Sequence, residues 1–176
     1  FGDIHVAFSS KDRNFDRVPT QAELDIRPDA DYFYICANNT IYGTEYQYDP
    51  ETPAGVALVA DMSSNILSKP VDVSKYGVIY AGAQKNMGPA GVTVVIVRED
   101  LLGSYPLEKY PVMLDWQTMA NKGSMYNTPP TYGIYVLGLV LEWVEQMGGV
   151  KVMQERAEKR SSMLYDYLDS QDFYKA

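Results

Sequence analysis

Two apolar stretches, Tyr76 to Ala81 and Val92 to Val97, are separated only by Gly82 to Gly91, and no other spacing in the sequence constrains the fold as tightly. Both stretches have strand character, and Val92 to Val97 is nearly all β-branched, as expected for a strand buried on both faces. A parallel crossover needs roughly a dozen residues or more and usually a helix. The gap here is shorter and has no helical periodicity. The two strands are therefore expected to be antiparallel neighbours, with Lys85 in their connection.

Three further strands are expected upstream: Ile4 to Phe8, Tyr32 to Ala37 and Val56 to Ala60. The last third has helical spacing. Ile134, Leu137, Val140, Leu141 and Val144 recur along Tyr132 to Met147, which Gly148-Gly149 stops. A second helix follows from about Val150, with Val150, Met153, Ala157, Leu164 and Leu168 on one face and Lys151, Glu155, Glu158 and Lys159 on the other. Strands followed by helices indicate an α/β domain, and 176 residues suffice for one domain with a sizeable core.

Charge and apolar run length exclude several functions. A net charge of -8 without a basic cluster argues against nucleic acid or an anionic membrane as partner. No apolar run approaches the roughly 20 residues of a membrane span, and no leader pattern is visible, so a soluble chain is expected. The single cysteine, Cys36, has no metal-ligand spacing around it and fits a reducing compartment, with the cytoplasm as default. Asn38-Asn39-Thr40 matches a glycosylation acceptor, a chemistry of secreted chains, and is read as accidental. His5, the lone histidine, is read as a core or edge residue rather than a catalyst.

Lys85 draws attention because of its neighbours. A lysine in a strand connection is ordinarily just solvated, yet Ala81, Gly82, Ala83, Gly88, Ala90 and Gly91 remove bulk on both sides and let a planar ligand approach the backbone. Neither the phosphate loop G-x-x-x-x-G-K-[ST] nor the dinucleotide fingerprint G-x-G-x-x-G is present. What remains is a Schiff-base lysine, a role that needs an amine neutral part of the time. Such a lysine holding pyridoxal phosphate requires a carboxylate for the ring nitrogen. Asp61, at the carboxyl end of Val56 to Ala60, is the candidate, with a turn involving Ser63 and Ser64 as the competing reading.

The segments "YGVIYAGAQKNMGPAG", "VADMSSNILS", "NNTIYG" and "YNTPPTY" resemble, in order along nearly the whole chain, the phosphoserine aminotransferases, class V members of the fold-type I pyridoxal-phosphate enzymes. The resemblance implies a mixed, mostly parallel sheet belonging to the large domain of that fold, incomplete here and followed by a long linker helix. Residues 1–147 would be part of the cofactor-binding large domain, and 148–176 the linker helix toward a C-terminal small domain absent from this chain. It also implies that Lys85 forms the Schiff base, Asp61 pairs with the pyridine nitrogen, and Thr40 hydrogen-bonds the ring's phenolic oxygen. Ser63 and Gln84 would bind the cofactor phosphate, and Asn127 and Thr128 would reach the neighbouring subunit's phosphate in a homodimer. No metal is implied.

The implied reaction is transamination between glutamate and 3-phosphohydroxypyruvate, giving phosphoserine and 2-oxoglutarate in serine biosynthesis. Complete family members are about twice this length, so the chain is expected to be a middle piece. The stacking aromatic ring, an upstream phosphate turn and the substrate-gripping arginines and histidine have no counterpart in residues 1–176, and the isolated chain is expected to be inactive. Two alternatives stay open: a class V aminotransferase acting on an unphosphorylated amino acid, and a folded fragment with no catalysis of its own.

Overall fold

The apolar runs pair as a mixed sheet in the computed structural model, which describes residues 2–103 and 107–173. In chain order the strands are β1 (Tyr32–Cys36), a minimal hairpin of β2 (Asn38–Asn39) and β3 (Thr44–Glu45), then β4 (Ala57–Asp61), β5 (Val78–Gly82) and β6 (Thr93–Val97). The main sheet has the order β1-β4-β5-β6. β4 pairs parallel with both β1 and β5, and β5 pairs antiparallel with β6 from Val78↔Val97 to Gly82↔Thr93. The short connection at Lys85 thus imposes the antiparallel turn expected of it.

Alternation along each strand separates two faces. On one face Ile35, Leu58, Ala60 and Ile79 pack with Met62 and Tyr76 beneath the chain of residues 62–76. The core continues through Ala81, Ala83 and Met87 to Leu137. The other face carries Tyr34, Val59, Asp61, Val78 and Tyr80 and borders a cavity of about 680 Å³ closed on its far side by Leu101, Leu114 and Trp116.

Three helices follow: α1 (Trp116–Asn121), α2 (Thr131–Gln146) and α3 (Gly149–Asp169). Asp115 starts α1, its carboxylate accepting from the Thr118 N–H at 2.8 Å. α2 stops at the expected glycines, where Gly148 (φ 101°) and Gly149 (φ 77°) occupy the left-handed region. Among the described residues no helix is long and apolar enough to cross a membrane.

Five expectations need correction. Ile4 to Phe8 forms no strand: Ile4 and Val6 are exposed, and the segment is held instead by the Asp25 N–H donating to the Ala7 carbonyl at 3.1 Å. Apolar alternation there is not matched by ladder pairing with either edge strand, β1 or β6. His5 is an exposed residue bonded to the carbonyl and carboxylate of Asp25 rather than a core or strand residue. β6 is not buried on both faces, since it lies at the sheet edge with Val95 and Ile96 exposed. The apolar stripe of α2 is only partly covered: Val144 is buried and Leu137 meets the core, while Ile134 and Leu141 are exposed. On α3 the stripe is half-buried at Val150, Met153, Ala157 and Leu168, but Leu164 is exposed. Phe1 and the last three residues of the expected 148–176 segment lie outside the described residues.

At Gly77, just before β5, the chain lies close against β4. A Cβ there would lie 2.8 Å from the Ala57 Cβ and 2.9 Å from Leu101 Cδ1, and the short Ala57 side chain has no rotamer to yield. Gly77→Ala is therefore expected to destabilise the complete protein by about 1–3 kcal/mol through overpacking. Urea denaturation against wild type measures it, and an unchanged midpoint would contradict the packing described.

Candidate active site

Cys36 and Asp61, at the carboxyl ends of β1 and β4, share one register row with Tyr80 in the middle of β5, on the face turned away from the core. Asp61 closes β4, and its Oδ1 accepts from the Ser63 N–H at 2.8 Å, an Asx turn that redirects the chain. The turn reading and the functional reading of Asp61 are compatible, because Oδ2 makes no hydrogen bond among the described residues. Ser63 Oγ in turn accepts from the Gly82 N–H at 3.1 Å, tying the end of β5 to this turn and leaving the hydroxyl proton for another acceptor.

The turn after β5 presents Lys85. Ala83 accepts from the N–H groups of Met87 (3.1 Å) and Gly88 (2.9 Å), closing one helical turn around residues 84–86. Ala83 and Met87 are buried and anchor this turn, so Gln84, Lys85 and Asn86 are its exposed outer side. Asn86 Nδ2 donates to the Ile66 carbonyl at 2.9 Å and fixes the turn laterally.

Three of the six small residues around Lys85 serve packing, while Ala90 and Gly91 are exposed. Ala81 and Ala83 are wholly buried, and Gly88 faces the Leu137 backbone of α2. Gly82 is the one that keeps space at the site: a Cβ there would come within 2.5 Å of Gln84 Oε1, so the carboxamide of Gln84 rests where a side chain would otherwise stand.

Lys85 Nζ donates to Thr40 Oγ1, across the loop of the β2–β3 hairpin. Lys85, Thr40, Asp61, Ser63 and Gln84 are thus brought together by strand ends and turns. Asn127 and Thr128 are not: both are exposed on the segment between α1 and α2, and neither bonds to this group among the described residues.

Sequence reading overlooked the face lined by tyrosines. Tyr34 and Tyr80 place their hydroxyls 3.3 Å apart beside Asp61. Burial, then the Tyr80 contact and the Asp61 charge, push the Tyr34 phenol well above its ordinary range, so it is neutral at physiological pH. The available signal was the alternation of Tyr32, Tyr34 and Cys36 along one strand. No three His, Cys, Asp or Glu side chains among the described residues cluster as a metal site.

The family model for aminotransferase class-V matches residues 2–176. The chain belongs to the class V aminotransferases. A curated relative, the phosphoserine aminotransferase of Herminiimonas arsenicoxydans, is 51% identical over 99% of this chain and 47% of its own length. Among solved class V structures, the phosphoserine aminotransferase of Bacillus circulans subsp. alkalophilus superposes with a TM-score of 0.92 at 45% identity, covering 96% of this chain and 46% of that one. The PLP-bound phosphoserine aminotransferase of Trichomonas vaginalis gives a TM-score of 0.82 at 39% identity, covering 88% of this chain and 45% of that one. The chain spans about half the length of these class V relatives.

Cys36 reports on the charges of the site. Partial desolvation and then the Asp61 carboxylate push its thiol upward, with Lys85 pulling the other way. Replacing Asp61 with Asn removes one upward push, so more thiolate is present at any pH below the thiol's pKa. Alkylation of Cys36 by iodoacetamide at pH 8, followed on its peptide by mass spectrometry, should be several-fold faster in Asp61→Asn than in wild type, and Lys85→Ala should slow it. Equal rates in all three proteins would contradict the stated proximity.

Proposed function

We propose that the complete protein is a pyridoxal-phosphate-dependent aminotransferase that exchanges an amino group between glutamate and 3-phosphohydroxypyruvate, giving phosphoserine and 2-oxoglutarate in serine biosynthesis. The observation that carries the reading is a lysine amine held by a hydroxyl at the carboxyl end of the sheet, where a strand-end carboxylate also lies. The names of the relatives at about half identity support the choice of reaction, and the T. vaginalis structure described as PLP-bound supports the cofactor.

The donor set fits that cofactor. A dianionic phosphate is well served by hydroxyl and amide donors, here Ser63 Oγ, whose proton is unspent, and the Gln84 carboxamide above Gly82. When bound, pyridoxal phosphate supplies a ring able to accept the electron pair released at the substrate's Cα. Asp61, its position fixed by the Ser63 N–H, would hold a proton at the ring nitrogen. Thr40 would orient the ring through its phenolic oxygen. Lys85 would hold the cofactor through its Nζ, and the same amine, when free, would take the substrate's Cα proton and give it back, serving as base and then acid.

Asn127 and Thr128 act, in this reading, on the neighbouring subunit's cofactor phosphate in a homodimer. Tyr132 (77% exposed) and Tyr135 (62% exposed), one helical turn apart at the start of α2, supply an apolar surface for a second copy beside them. Residues 1–147 as part of the cofactor-binding domain, 148–176 as a linker helix toward a small domain, and a cytoplasmic location belong to the same proposal.

Borohydride reduction of the complete protein with pyridoxal phosphate, followed by peptide mapping, should place the pyridoxyl group on Lys85. A coupled assay with glutamate and 3-phosphohydroxypyruvate should give turnover that Lys85→Ala abolishes. A label on Lys75 or Lys122, or turnover retained without Lys85, would overturn the assignment.

Mixing Lys85→Ala subunits with subunits carrying both Asn127→Ala and Thr128→Ala should restore activity, because one of the heterodimer's two sites is then free of every substitution. No recovery after subunit exchange confirmed by mass spectrometry would mean that the loop serves its own chain.

A further inference from the structure

The hairpin that carries Thr40 cannot hold itself in place. Its ladder is two rungs long, Asn38↔Glu45 and Asn39↔Thr44, and even a longer isolated hairpin is marginal in water. Its tip is shaped internally by Asn39, whose Oδ1 accepts from the N–H groups of Ile41 (3.1 Å) and Tyr42 (3.2 Å). Its root is joined to the sheet through Ala37, whose N–H donates to the Asp61 carbonyl at 2.9 Å, and Tyr42 at its tip lies against the Phe15 ring; side chains supply the remaining ties.

Both residues of the first rung are tied to consecutive residues of the turn that follows Asp61. Asn38 Nδ2 donates to Ser64 Oγ at 2.8 Å, and Ser64 Oγ donates back to the Asn38 carbonyl at 2.8 Å. Across the ladder, Asn65 Nδ2 donates to Glu45 Oε1 at 2.9 Å, and Lys69 Nζ reaches the same carboxylate oxygen at 3.1 Å. Asn65 is 8% exposed, and its side-chain carbonyl oxygen has no partner, so its amide is committed to Glu45 despite a cost at its other end.

We propose that Asn38–Ser64 and Glu45–Asn65 form a two-point clamp that locks the hairpin onto the Asp61 turn and thereby positions Thr40 Oγ1 at Lys85. Asn38, Glu45, Ser64 and Asn65 are positioning residues, acting through Thr40. The inference rests on the cofactor reading only in so far as Thr40 and Lys85 serve that cofactor, since the clamp is present in the chain by itself.

The clamp makes the spacing between Thr40 and Asp61 a property of one rigid unit, because both belong to segments that it fastens together. The Ser64 link carries no charge, so breaking it alters position without altering the electrostatics of the site. The Glu45 link is different, since Glu45 is ionised: burial raises its carboxyl, but the bonds from Asn65 and Lys69 outweigh this and hold it below its usual range. Cys36, Asp61 and Tyr80, the titratable row at this end of the sheet, belong to neither link, and neither does Lys85 itself.

The test compares wild type, Ser64→Ala, Ser64→Thr and Thr40→Val in the complete protein, each verified as folded by circular dichroism. The first readout is acetylation of Lys85 by limiting acetic anhydride in cofactor-free protein, scored by mass spectrometry relative to Lys151. Ser64→Ala and Thr40→Val should both raise it several-fold, and Ser64→Thr, which keeps the hydroxyl, should restore it. The second is the pH midpoint of the visible absorbance of the lysine-linked cofactor. Ser64→Ala should move that midpoint in the same direction as Thr40→Val, by up to about one pH unit, a tenfold change in proton affinity.

Unchanged Lys85 labelling in Ser64→Ala would overturn the clamp. So would altered labelling with an unmoved midpoint, because the link would then order the hairpin without positioning Thr40 for the cofactor. Altered labelling in a protein whose wild type shows no lysine-linked absorbance would instead remove the cofactor reading and leave the clamp standing.

Discussion

Everything in this structure is arranged around how closely chain can lie on the core face of the sheet, and three alanines set that distance. Ala60, Ala81 and Ala83 have no exposed surface. Interiors pack to near-crystalline density, so larger side chains there would lift the layer above them. The segment over β4 could then no longer carry Ile66 and Leu67 into contact with the β5 turn, and Leu137 of α2 would lose its seat. One of them, Ala83, also explains why the Lys85 turn is firm although its outer side is solvated: Ala83 is its floor, and Met87 is its second anchor.

The order of events along the sheet was legible because it depends on chain length and local pattern. A connection too short for a crossover forces antiparallel pairing, which is how β5 and β6 meet. α2 and α3 were legible because their periodicity extends over several turns and ends at a glycine pair whose backbone takes positive φ. Lys85, Thr40, Asp61, Ser63 and Gln84 were legible together through the family resemblance, and the geometry adds the physical links between them.

Other features depend on what lies alongside, which no local pattern records. Ile4 to Phe8 alternates like a strand but pairs with neither sheet edge, and Val92 to Val97 is β-branched like a central strand although β6 lies at the edge. The β2–β3 hairpin has almost no propensity signature, because its own ladder is short and it is placed by bonds to distant residues: side-chain bonds with residues 64, 65 and 69 beside the backbone bond of Ala37 with Asp61. Asn127 and Thr128 show the same limit, since none of the described residues gives them a partner at the site.

The bond between Lys85 and Thr40 joins residues 45 positions apart, whereas the strands flanking Lys85 pair almost locally, Gly82 with Thr93. The entropy of closing a loop grows with the number of residues enclosed, and contacts distant in sequence slow folding. The lysine's supporting hairpin can therefore form while the chain is still largely open, and its acceptor arrives only when the parallel strands have docked. Assembly of the reactive centre is a late report that the long-range topology is correct, so an incompletely folded molecule would carry an amine but not the surroundings that direct it.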